Sequence, residues 1–422
     1  MDLTTEKYFA DIVKNLSQII KFNSEQAPAE EGKPFGAENA RCLEFYLSLA
    51  SFLGFETKNF DNFVGEVTFG GGEDFAVLAH LDVVPAGSGW THEPFGGEVD
   101  RVNGKIWGRG AMDDKGPAII ALYALKALKD EGFKPAKRIK LIVGCNEESG
   151  WACIDHYNKV AKMPKTGISP DADFPVIYAE KGILHVKVQY PVKDPCFTAL
   201  SGGGSANMVC DYCEAEAREN KELLSRLGLE YAAGKVISRG KSAHGSTPEK
   251  GVNAIEKMLA YLGLDELKEL LFTSKFGLAD MRDETGCLTL SPDIISFDGG
   301  NISVTCDIRY PATYKVGDVL KKLDASGLKY EIIHEQAPLF NDKNSRLITT
   351  LLNVYNEVTG KNAQPVAIGG GTYARALSYG AAFGPEEDGE ESTIHQPDEY
   401  ITFGKIEKCF KIYKLALQRL CG

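Results

Sequence analysis

Residues 75–81 read FAVLAHL, a short segment that is apolar throughout except for His80. A run this brief and this continuous suits a strand covered on both faces, because a half-exposed strand would alternate. Gly116 and Pro117 then open a helical stretch reaching Lys129, with proline tolerated in a first turn where its missing N–H has no partner to lose. Residues 139–145, IKLIVGC, repeat the buried-strand pattern. Strand, helix and strand in this rhythm predict an α/β sheet with helices on its faces. Upstream, Tyr8, Phe9, Ile12, Val13, Leu16, Ile19 and Ile20 recur at helical spacing and predict a helix over 1–21. A second is expected over 37–53, stopped by Gly54.

The texture changes near residue 185. Strand-like HVKVQY (185–190) is followed by a glycine-rich break at Ser201–Ser205, helical stretches near 207–228 and 252–272, and strand-like segments at 288–296 and 301–308. A helix near 345–358, a strand entering the glycine turn VAIGGG (366–371) and a last helix over about 404–420 return to the α/β pattern. The economical organisation is a discontinuous domain, 1–184 with 338–422, interrupted by an α+β insertion over 185–337. No repeat of 20–50 residues is present.

Bulk properties narrow the function. The chain has 422 residues, 43% apolar and 25% charged, with a formal net charge of −12. No basic stretch could neutralise phosphates, which argues against nucleic acid as a partner. No apolar run reaches the roughly 18 residues needed to span a bilayer, so no membrane is expected either. The start, MDLTTEKYFADIV, carries acids and no basic leader region, so a cytoplasmic protein is expected. Ten dispersed cysteines then read as reduced thiols, and the lone pair Cys210 and Cys213 lacks the second pair that a structural zinc would need.

Chemistry gathers at segment ends. His80 closes a buried strand, and Asp82, two residues on, shares its face if the strand continues. A carboxylate there could hold the second nitrogen of a ligating imidazole. In GRGAMDDKGP (108–117), Asp113 and Asp114 stand between glycines just before a helix, where a cation, Lys115 or the helix N-terminus could offset their charge. Glu147 and Glu148 follow the second buried strand, at the carboxyl end where α/β sheets commonly bind ligands. Asp171 and Asp173 lie in SPDADFP, and His395 in STIHQPDEY. Two neutral imidazoles and three carboxylates suit two divalent cations sharing one bridging carboxylate. With a spare acid beside them they form the equipment of a metal-assisted hydrolase.

In order along the chain, HLDVVP, GRGAMDDKGP, NEESG, SPDADFPVIYAEKG, KSAHGSTPEKGVNA, DIRYP, GGGTYARA and IHQPDEY resemble the co-catalytic zinc peptidases, the family of glutamate carboxypeptidase, aminoacylase, carnosinase and desuccinylases. The likeness is nearest to the bacterial dipeptidase V branch and runs from about residue 77 to 402. It implies a mixed-sheet catalytic domain with an inserted lid. It implies His80, Asp113 and Asp171 on one metal and Asp113, Glu148 and His395 on the other, with Asp113 bridging. It also implies Glu147 as general base and a cis peptide at Asp113–Asp114. Asn207, His244 and Arg309 match lid residues that contact substrate in such dipeptidases. Two divalent ions are implied, zinc first, with manganese or cobalt acceptable to the same N/O ligands. The insertion is shorter than the duplicated lid of the nearest dipeptidases and longer than the single lid of dimeric relatives, which leaves monomer and homodimer both open. The expected activity is hydrolysis of a small peptide, an unblocked dipeptide. An N-acyl-amino-acid deacylase is the alternative. A catalytically decayed metal-binding scaffold is disfavoured by the intact Glu147.

Overall fold

The computed structural model describes residues 3–422. The chain divides into two compact units. One comprises Met1–Tyr178, Asn341–Val366 and Thr372–Gly422, and the other Ala179–Phe340 and Ala367–Gly371. Ala367–Gly371, expected in the discontinuous domain, belongs instead to the second unit, where the Ile368 carbonyl accepts the Lys181 N–H. The outer crossing points, 178/179 and 340/341, replace the 184/185 and 337/338 boundaries expected above. The reason is local: Ala179 and Glu180 pair in antiparallel register with Phe340 and Leu339, which ties both ends of the insertion together.

The first unit begins with helices α1 (Leu3–Ile20) and α2 (Ala37–Phe52). Strands β1 (Glu56–Phe60), β2 (Val64–Phe69) and β3 (Asp74–His80) follow, then α3 (Lys115–Asp130), β4 (Arg138–Gly144), α4 (Ala152–Val160) and β5 (Thr166–Ser169). Their sheet order is β1-β2-β4-β3-β5, continued by Tyr379–Ala382. The centre is parallel: β3 pairs with β4 and β5, and β5 with Tyr379–Ala382, while β1 and β2 add an antiparallel edge. Phe75 to His80 are all buried, as the continuous apolar run requires. α3 buries nearly its whole surface, including Ile119, Ile120, Leu122 and Leu125. Each such fully buried large apolar side chain stabilises the fold by roughly 1.5–3 kcal/mol. Aromatic contacts of Tyr8 with Tyr123 and Phe410 join α1 to α3 and to the last helix, Phe403–Cys421.

The second unit is built on an eight-stranded antiparallel sheet. Its order is Glu230–Ala232, Lys235–Arg239, Tyr212–Ala217, Phe197–Gly202, Thr289–Phe297, Asn301–Tyr310, Gly182–Pro191 and Lys329–Gln336. Ile255, Met258 and Leu259 of helix Ala254–Tyr261 share one core with Val319 and Leu323 of helix Val316–Ala325 and with Val186, Val304 and Ile308 of the sheet. Cys210, Cys213 and Cys306 belong to that core.

One expectation is overturned. The helical stretch near 207–228 is a strand, Tyr212–Ala217, and only Lys221–Leu227 is helical. YCEAEA contains good helix formers, but Cys213 and Ala215 point inward while their neighbours do not. That period of two is satisfied by ladders on both sides of the strand, which outweigh the local propensity. The stretch over 252–272 is helical but broken at Gly263, with φ +70°, into Ala254–Tyr261 and a second run, Asp265–Lys268 continued by Glu269–Thr273. Among the described residues no helix is long and apolar enough to cross a membrane.

Candidate metal centre

Three parallel strands deliver their carboxyl ends to one place in the first unit. β3 ends on His80, the turn after β4 carries Glu147 and Glu148, and Asp171 follows β5. Asp113 sits immediately before α3, joined to Asp114 by a cis peptide bond as the family resemblance implies. His395 comes from the loop ahead of the last helix, with φ +62°. The side chains converge around Asp113. Its Oδ1 lies 2.9 Å from His80 Nε2, and its Oδ2 lies 2.8 Å from His395 Nε2. On the first side, Asp171 Oδ2 is 3.6 Å from His80 Nε2. On the other, Glu148 Oε1 is 3.1 Å from His395 Nε2. Asp113 thus turns one oxygen towards each of two His–carboxylate pairs.

Electrostatics describe a crowd of acids that is buried on the His80 side and open to solvent at His395. Burial would lower the His80 pKa, but the Asp113, Asp171 and Asp82 carboxylates raise it well above its usual value. His395 is half exposed; partial desolvation opposes its protonation, and Asp113 and Glu148 push it up to about 11. The two imidazoles hold Asp113 below the usual carboxylate range despite its burial. Burial and the Asp113 charge raise Glu148 to about 7 and also raise Asp171. Glu147 is raised well above its usual value, first by burial and then by Asp171 and Glu148, against the effect of His80. Protons held in this way are what a cation displaces when it takes their place. His80, Asp113 and Glu148 offer ligand atoms all within 4.8 Å of one another. That donor set, neutral-capable imidazole with carboxylate oxygen, fits divalent cations.

Further groups brace the ligands. His80 Nδ1 is 2.9 Å from the backbone carbonyl of Asp82, which places the remaining proton on Nδ1 and leaves Nε2 as a lone pair. The Asp82 carboxylate is farther from that ring, at 3.5 Å, and does another job from the one expected. It accepts the backbone N–H groups of Glu147 and Glu148 at 3.0 and 3.1 Å, because the turn after β4 leaves those donors aimed at the end of β3. Asp114 is fully buried and accepts the His80 N–H at 3.1 Å. Two further supports come from Glu399 and Trp151. Glu399 Oε1 accepts the N–H groups of Met112 and Asp113 while its Oε2 pairs with buried Arg109 at 2.7 Å. The Trp151 indole donates to Glu147 Oε1 at 3.0 Å. Glu399 stands within IHQPDEY, but no local spacing tells where it points.

The remaining candidates gather within the second unit. The Asn207 carbonyl accepts the Gly245 N–H at 2.7 Å, and Met208 bridges to His244. The Ser246 N–H donates to His244 Nδ1 at 3.1 Å, which assigns the ring proton to Nε2. Arg309 is buried, and its fork is engaged: Nε and Nη2 donate to the two Asp307 oxygens at 2.6 and 2.7 Å, and Nη1 to the Gly369 carbonyl at 3.1 Å. Gly245 packs so closely on this pair that a Cβ there would lie 2.4 Å from Asp307 Oδ2.

The model of peptidase family M20/M25/M40 matches residues 76–419. The chain belongs to this family. A relative from Bacillus subtilis (strain 168), "Putative dipeptidase YtjP", is 36% identical, with 97% of each chain covered. Among solved M20-type structures, human carnosine dipeptidase 1 superposes with a TM-score of 0.61 at 15% identity over 99% of this chain and 97% of that one. The di-peptidase Dug1p of Saccharomyces cerevisiae gives 0.60 at 15% identity over the same shares. These likenesses show the M20 fold, with its inserted domain, and the family makes the protein a peptide-bond hydrolase.

Proposed function

We propose that this M20 enzyme is a metal-dependent dipeptidase acting on unblocked dipeptides. The observation that carries the reading is Asp113, whose two oxygens face two separate His–carboxylate pairs. His80, Asp113 and Asp171 would hold one divalent cation, and Asp113, Glu148 and His395 a second, zinc being the first choice for such ligands. Bound cations would supply Lewis acidity, polarising the scissile carbonyl and bringing a water's pKa towards about 7. Glu147 lies beside the ligands and takes the proton from the attacking water, then delivers it to the leaving amine. Asp82 aims the turn on which Glu147 stands.

His244, protonated on Nε2, can donate a hydrogen bond to the oxyanion. Asn207 would bind substrate backbone, and Arg309 would meet the substrate carboxylate through N–H groups not committed to Asp307 and Gly369. Neither group selects a dipeptide over an N-acyl amino acid, because both substrates end in a carboxylate. The relatives support the dipeptide.

Two measurements test the reading. Metal-free protein should be inactive and regain turnover with about two equivalents of zinc, manganese or cobalt; full activity without metal would end it. One scissile bond should then be offered as a dipeptide, its N-acetyl form and its tripeptide. The dipeptide should have the highest kcat/KM, and preference for the acetylated form would make the enzyme a deacylase.

A further inference from the structure

Trp151 occupies a position where a large residue is out of place. Its φ is +64°, the left-handed region that favours glycine and strains a bulky side chain. Gly150 stands directly before it. The turn that imposes this conformation is tightly closed. The Trp151 N–H reaches the Asn146 carbonyl at 2.9 Å, Asn146 Oδ1 accepts the Ala152 N–H at 2.9 Å, and Asn146 Nδ2 donates to Ser149 at 2.7 Å. The indole is therefore presented by backbone that is itself fixed. Its ring meets Tyr373 edge-on at 5.1 Å, and Tyr373 meets His80 edge-on at 6.1 Å. Against that wall, Nε1–H points at Oε1 of Glu147 from 3.0 Å.

We propose that Trp151 is a positioning residue for the general base: its indole N–H pins Glu147 Oε1 and leaves Oε2 to exchange the proton. The inference rests on the assignment of Glu147 as base. The chemistry suits the task. An indole N–H donates only and does not titrate, so it can hold the carboxylate and equally the carbonyl oxygen of the protonated acid. Glu147 thus keeps one orientation while Oε2 receives the proton from water and passes it to the leaving nitrogen. The donor also lowers the basicity of Oε1, so the proton goes preferentially to Oε2 and one oxygen serves both transfers. A lysine or histidine in its place would add a charge or a second proton acceptor beside the base.

The test is a double-mutant cycle with a spectroscopic arm. Trp151→Phe keeps the ring and removes the donor. We expect kcat to fall at least about tenfold, with KM within about twofold and metal content unchanged. In a Glu147→Gln background the same substitution should cost less than about twofold, because the group it acts through is gone. Equal losses in both backgrounds, or lost metal, would mean that the ring serves only the fold and would overturn the proposal. Wild-type kcat in Trp151→Phe with an inactive Glu147→Gln overturns the positioning alone. A fully active Glu147→Gln overturns the base assignment instead. The chain has three tryptophans, so its ¹H–¹⁵N spectrum carries three indole signals. One should move in Glu147→Gln, while those of Trp90 and Trp107 stay. The spectrum tests the contact even if Trp151→Phe does not fold, and three unmoved signals would refute it.

Discussion

Charge is handled in opposite ways in the two units. Around Asp113, acids crowd without enough positive partners of their own, and Glu147, Glu148 and Asp171 all have raised pKa values. Around Arg309, the buried Asp307 carboxylate is fully matched by a bidentate guanidinium and is held below its usual range, despite burial, by His185 and Arg309. The first arrangement is incomplete as protein alone and is completed by something that binds. In the second the Asp307–Arg309 pair is matched already, while the neighbouring buried Asp293 is raised to about 8 by burial and the Asp307 charge, so the pair is a structural support as much as a binding surface. Removing an acid from the first should relieve the fold, whereas removing a partner from the second should injure it.

The largest expected effect breaks that comparison on the functional side. Glu147→Gln should lower kcat by roughly 10²–10⁴-fold with the metal content of the parent retained in atomic-emission analysis. Its metal-free form should be no less stable to urea than the parent. Next comes Arg309→Ala, which strands the buried Asp307 charge. Breaking a buried pair in this way costs roughly 3–5 kcal/mol, read as a lower urea midpoint. A Glu147→Gln protein less stable than Arg309→Ala would invert the contrast.

Acidity sharpens it further. The Glu148 pKa in the fold, about 7, lies above its ordinary 4.5. Its protonated form therefore favours folding. That contribution is present below pH 4.5 and is lost as pH rises through about 7. Asp307, held low, behaves oppositely: its contribution is present above the ordinary carboxylate range and is lost as pH falls through its depressed value. The proposed metal would need Glu148 as carboxylate and His395 as neutral imidazole, so affinity should climb with pH across neutrality. Binding should release protons, measurable by calorimetry in buffers of differing ionisation heat. The smallest effect is Ser246→Ala, which removes only the hydroxyl 2.7 Å from His244 Nδ1. The backbone N–H still fixes the tautomer, so kcat should fall by about two- to tenfold with KM little changed.

Much of this is legible in the residues because it is local. FAVLAH and IKLIVG are buried strands because they are apolar apart from His80 and Lys140, and a histidine ending such a strand or an acid pair just past it must lie at its carboxyl end. The convergence of His80, Asp113, Glu148, Asp171 and His395 follows from those placements and the family motifs together. The Asp307–Arg309 pair is readable too: in a strand, residues two apart share a face. The family motif instead makes Arg309 look like a vacant fork. Glu399 and Trp151 are not readable, since their hydrogen bonds depend on how distant or strained backbone is aimed. YCEAEA misleads because its helix formers speak louder than its alternation.

Asp82 has a consequence beyond the bonds it makes. Its carbonyl meets the His80 ring at the end of β3, and its carboxylate meets both N–H groups of the acid turn after β4. Those strands are parallel neighbours in register, with His80 opposite Gly144. A slide or tilt of either strand end is thereby transmitted to the other, so thermal displacement of histidine and acids becomes common-mode. What the proposed catalysis requires is constancy of the gap between them, and Asp82 joins the bond from the Leu81 N–H to the Gly144 carbonyl in resisting its change.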